Sequence, residues 1–149
     1  PANIRPPFVT TYSGQTMQVQ GSLNPQAVNL TGEVTTTNGS GPLSILGPQD
    51  VPPVVSATNL VMLTAREAST GDTVSWIFAF VLRSFGGTVF LDNVPLNLLA
   101  VQSPIGVLPW SYAVVPNSPN PNQYEIVVTG ENPKTIHWTI RNLVGVNIA

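Results

Sequence analysis

Residues Tyr124–Ile140 read YEIVVTGENPKTIHWTI. In the second half, Ile136, Trp138 and Ile140 fall on one side of an extended chain, while Thr135, His137 and Thr139 fall on the other. A period of two is the signature of a half-buried strand. The run before it, with Tyr124, Ile126 and Val128 in phase, reads as a second strand. The five residues Gly130–Lys134 between them suit a hairpin loop, because Pro133 fixes one φ and Gly130 can supply a positive one. On this reading Glu131 and Lys134 sit at an exposed tip. A pair there is worth under ~1 kcal/mol and serves mainly to keep the turn wet.

The same period extends over the rest of the chain. Strands are predicted over 8–12, 16–20, 27–36, 54–65, 73–82, 88–91, 94–101, 110–115, 124–129 and 135–141. Clusters rich in Gly, Pro, Asn and Ser separate them. The only helix-friendly stretch, Leu63–Ala68, is too short to stand alone. The pattern predicts an all-β fold, a single antiparallel β-sandwich or jelly-roll-like domain over residues 8–149. Residues 1–7 carry three prolines and no periodicity, and are expected to form an extended N-terminal arm. Gly39–Pro53, with four prolines and three glycines, reads as a long loop, either a contact loop or a mobile one.

Composition narrows what such a domain does. Charged residues make up 8% of the 149, the formal net charge is -2, and cysteine is absent, whereas a typical soluble domain is about 25% charged. A surface that poor in charge points to assembly, since charge is what normally keeps a free protein soluble. The five basic residues, Arg5, Arg66, Arg83, Lys134 and Arg141, form no stripe able to neutralise phosphates, so nucleic acid is not an expected partner. No apolar run reaches the roughly 18 residues of a membrane span. The opening PANIRPP lacks the regions of a signal peptide, and a proline at position 1 fits removal of an initiator methionine.

Residue chemistry argues against catalysis. His137 is the only histidine, and its neighbours Thr135 and Thr139 are ordinary strand residues, not a nucleophile elbow or a metal spacing. The seven carboxylates are too dispersed for a calcium loop, and one histidine does not build a typical zinc site. Glu125 and Glu131 are a carboxylate pair joined by a tight link, but a turn position offers Glu131 nothing that would raise its pKa. No catalytic residue, cofactor or metal site is therefore expected. For a sugar platform, Trp76 and Trp138 alternate in phase with aliphatic residues and read as core, which leaves Trp110, after Leu108-Pro109, as the ring placed to be exposed.

The segment from Val74, with SWIFAFVLRSFGGTVFL, then Val94-Pro95, PWSYAVVP and YEIVVTGENPKTIHWTIR, resembles a C-terminal β-domain of structural proteins of tailed bacteriophages and related viruses. The most specific part is Val128–Glu131 with Lys134–Ile136 and Trp138. The likeness covers about half the chain and departs from the pattern between Asp92 and Pro109. It implies a non-enzymatic virion protein whose partners are capsid or other virion proteins. A capsid decoration (cement) protein fits best, with tail, baseplate or fibre components and a carbohydrate-binding module as alternatives. Such proteins often associate as trimers, so a homo-oligomer is expected. The arm, Pro1, Ala2, Asn3, Ile4, Arg5, Pro6 and Pro7, is the expected partner-binding segment: its prolines limit the entropy lost on ordering, and Ile4 supplies an apolar anchor.

Overall fold

The computed structural model describes residues 8–12, 15–19, 26–39, 41–52, 54–92, 94–103, 108–116 and 119–148. The predicted arm, Pro1–Pro7, lies outside the described residues. Two antiparallel sheets face each other. The larger contains β1 (Phe8–Tyr12), β2 (Gln15–Val19), β3 (Gln26–Thr37), β5 (Val55–Glu67), β6 (Thr73–Phe85), β7 (Thr88–Phe90), β8 (Leu96–Ser103) and β11 (Thr135–Ile148). Their order is β1-β2-β3-β11-β5-β6, with β8 and β7 one after the other along the far edge of β6, β8 against residues 73–79 and β7 against residues 83–85. The smaller sheet is β4 (Leu43–Asp50), β10 (Gln123–Thr129) and β9 (Ser111–Pro116), with β10 in the middle. Among the described residues there is no helix, so the all-β expectation holds.

Alternation puts the core between the sheets. Along β5 every second residue from Val55 to Glu67 is buried, and along β6 every second residue from Val74 to Ser84. The small sheet answers with Tyr124, Ile126 and Val128 from β10 and Val114 from β9. Seven aromatic rings run through this layer in contact: Trp110 edge-on to Trp138, Trp138 stacked on Trp76 at 6.0 Å between centroids, then Tyr112, Phe78, Phe80 and Tyr124. Trp138 and Trp76 come from strands on either side of β5. They meet because the β5 residue opposite Trp138 is Ala65, whose small side chain leaves the space.

The Tyr124–Ile140 segment is not a hairpin. β10 pairs with β4 and β9, whereas β11 pairs with β3 over twelve residues and with β5 over thirteen. Gly130–Lys134 is therefore a corner that carries the chain from one sheet to the other. The reason is burial: the two runs bring Ile126 and Val128, then Ile136 and Trp138, to the same core from opposite sides. Paired in one sheet they would cover only one side of it.

Gly39–Pro53 is likewise not a loop throughout. The turn at Asn38-Gly39, both with positive φ (52° and 70°), ends β3, and Leu43–Asp50 then forms β4. Its irregular burial and the interruption by Gly47-Pro48 hid it from a period-two reading. Proline is tolerated there because, among the described residues, β4 is an edge strand paired only with β10, in a register broken by bulges.

Where β3 passes under β4, Gly32 faces inward, and a Cβ there would collide with the carbonyl oxygen of Ile45 and come within 3.3 Å of Ile140 Cγ2. Gly145, on the outer side of β11, has nothing within 4 Å of the corresponding position. Gly32→Ala is expected to cost about 1–3 kcal/mol through overpacking. Gly145→Ala should be neutral or gain up to about 1 kcal/mol by restricting the unfolded chain. Urea titration of the two variants checks the contrast.

Candidate functional site

The charged residues of the corner do not sit free at a tip. Glu131 Oε2 accepts a hydrogen bond from the Trp110 indole at 3.0 Å and lies 3.0 Å from Lys134 Nζ. Both partners of the ion pair are half-buried. The Lys134 ammonium, with the Trp110 N–H next in effect, holds the Glu131 carboxyl below its ordinary range, and the same carboxylate raises Lys134. The pair thus anchors the corner to the first ring of the aromatic row, a structural duty that the exposed-tip reading missed because Trp110 is 21 residues away in sequence.

Beside the corner, the turn after β5 is built on Glu67. Its side chain is 3% exposed, yet it is not orphaned. The carboxylate accepts from the Thr70 hydroxyl and the Thr70 N–H, each at 2.6 Å, and from the Ser69 hydroxyl at 2.9 Å. These donors favour the charged form, the Thr70 hydroxyl most, and take its pKa from 4.5 to about 2. Arg83 and Asp92 pair at 2.6 Å with the guanidinium 4.3 Å above the Phe90 ring, which pins the β6–β7 hairpin. Among the described residues, no group of three or more His, Asp or Glu side chains is placed to hold a metal ion. The lone histidine, His137, lies on the exposed side of β11, its Nδ1 3.0 Å from the Thr35 hydroxyl directly across the strand pair.

The tryptophans are spent on the core. Trp138 is fully buried and its indole donates to the Thr36 hydroxyl at 3.0 Å. Trp110 does precede a strand, as its position after Pro109 suggested, but its ring is 4% exposed and so offers no sugar platform. The sheets part between β8 and β9 into an open cleft of about 640 Å³, with Trp76, Tyr112, Asp92 and Asn97 among its walls. The Tyr112 hydroxyl donates to Asn97 Oδ1 across it, and partial burial pushes that phenol up.

The largest unusual feature is on the outside of the large sheet. In register across β11, β5, β6 and β8 run two rows, Leu143–Leu60–Ala79–Leu96 and Arg141–Met62–Ile77–Leu99. Leu60, Met62, Leu143, Leu96 and Leu99 leave 41–65% of their surface open. Single exposed leucines are ordinary, but a contiguous band over four strands is not. The signal was present in NLVMLTA and RNLVGV, where both phases of a strand are apolar, although sequence alone does not say which phase meets the second sheet. No family model matches the chain, and a search of curated proteins finds no match.

Two outcomes test these assignments. Trp138→Ala is expected to cost roughly 3–5 kcal/mol in a denaturant titration, and His137→Ala under about 0.5 kcal/mol. The reverse order would mean that the faces of β11 are misassigned. Because the folded pKa of Glu67 lies below its unfolded value, the unfolded chain takes up the extra proton first. This carboxylate's stabilisation is complete above pH 4.5 and drains away as pH falls towards 2. Glu67→Gln should therefore lower the melting temperature at pH 7 and flatten its decline over that acidic window.

Proposed function

We propose that this chain is a non-enzymatic structural protein of a virus particle, a capsid decoration (cement) protein that docks on the shell and bridges neighbouring capsid subunits. The observation that carries this reading is the apolar band on the outer face of the large sheet. Water is a poor solvent for such a band, so a protein that keeps it works with that face covered by protein. The employment of the polar groups supports the same reading. Glu67 closes a turn, Glu131 ties a corner, Asp92 fastens a hairpin and His137 meets a threonine hydroxyl, so these candidates for acid–base chemistry are engaged in holding the fold. The resemblance of the Gly-Gly turn, the Trp-containing strand and the V-T-G-E corner to phage virion domains gives the reading its particular form.

The test is co-sedimentation of the purified chain with shells that lack their decoration protein. The expected result is saturable binding at a fixed number of copies per shell, reduced at least tenfold when residues 1–7 are deleted. A chain that stays in the supernatant at high micromolar concentration overturns the cement reading. Undiminished binding by the truncated chain removes the arm from the contact.

A further inference from the structure

We infer that the outer face of the large sheet is a homodimer interface, with a second copy of this chain packed face to face across a two-fold axis that runs across the strands between the two apolar rows. The inference deepens the proposed function and rests on its reading of this face as a protein contact surface.

The first argument is area. The open parts of Leu60, Met62, Leu96, Leu99 and Leu143, with Val81 and Val101 on the same face, add to roughly 600 Å² of apolar surface, at the upper end of what a free monomer shows and near the ~800 Å² each partner brings to a standard interface. The anatomy also fits. Leu60, Met62, Ile77 and Ala79 are central, while Arg141 ends one row on β11, and Thr139 and His137 on β11 and Arg83 on β6 lie beyond the rows; all four are exposed, the arrangement of an apolar centre with a polar rim.

The second argument is shape. An axis between the rows exchanges them, so each residue of one row meets the other row of the partner. Leu60 then lies on Met62 of the partner and Leu96 on Leu99 of the partner. The bulky Ile77 meets the small Ala79, and Thr139 meets the depression over Gly145, an open hollow walled by Thr58, Leu60 and Leu143. Ile77 and Thr139 thus face a small side chain and a hollow, Leu60–Met62 and Leu96–Leu99 are contacts between long apolar side chains, and Arg141 at the end of its row lies on the partner's Leu143 with its aliphatic stem, its guanidinium reaching the rim. A two-fold contact of this kind is closed and uses one patch twice. With a net charge of only -2, two copies repel each other little. The face is legible as a pair-former and not as the trimer contact that the resemblance to virion proteins implied.

The experiment is light scattering coupled to gel filtration on the full chain at micromolar concentrations. The expected mass is twice the 15.8 kDa of one chain. Met62→Lys and Leu60→Lys should each raise the dimer dissociation constant by about a hundredfold or more, because each places an unpaired ammonium in the centre of the contact. Glu125→Lys, a lysine introduced on the small sheet instead, should leave the dimer intact. Circular dichroism of each variant confirms that the fold survives, as it should at the exposed positions 60 and 62 and the half-buried, outward-facing position 125. A monomer, a trimer, or a dimer indifferent to both lysines at positions 60 and 62 overturns the inference. A dimer that ignores decoration-free shells leaves the inference standing and removes the cement reading. A monomer whose shell binding is lost in Met62→Lys does the reverse.

Discussion

Trp138 sits where the central strand, the two sheets and the sheet-to-sheet corner meet, and its burial constrains each of them. Its indole N–H must find a partner away from water, and Thr36 on the neighbouring strand provides it. Its ring needs depth, and Ala65 on the strand to its other side gives room for Trp76 to stack against it. Its edge receives Trp110, whose own N–H is taken by Glu131. One ring thereby fixes the register of β11 against both neighbours and the position of the corner that delivers it.

Among the described residues β11 follows the other strands in sequence, yet it lies between β3 and β5. The two halves of the sheet are therefore joined through contacts of long sequence separation. Two buried amides in the same region tighten that dependence. Asn142 of β11 donates to Asn59 of β5 at 2.9 Å, and Asn59 donates to the backbone oxygen of Ala57. The amide donors of this pair find their acceptors in only one register, which makes a slip of β11 costly out of proportion to its two side chains.

The scarcity of charge acquires a physical meaning in this setting. Glu67, Asp92 and Glu131 are placed where a turn, a hairpin and a corner need acceptors, and Arg66, Arg83 and Arg141 lie on the large sheet's outer face. What remains for that face is aliphatic. A sandwich that covers only one side of its larger sheet with a second sheet exposes the other, and in this chain the exposed side carries leucine and methionine where serine or lysine would suffice for solubility.

The local physics of the chain was legible directly. Alternation announced nearly every strand, and the Gly- and Asn-rich clusters, Asn38-Gly39 and Gly86-Gly87 among them, announced turns. Three features needed the tertiary structure. β4 carries no clean period, because a bulged edge strand containing Pro48 is stabilised by its partner and not by its own pattern. Tyr124–Ile140 reads equally well as a hairpin or as a corner, since alternation states that one side of each strand is buried but not against which sheet. The same degeneracy hid the outer face: in β5 and β11 both phases are apolar, and only the packing of β4, β9 and β10 over one of them decides which residues form the core and which are left exposed.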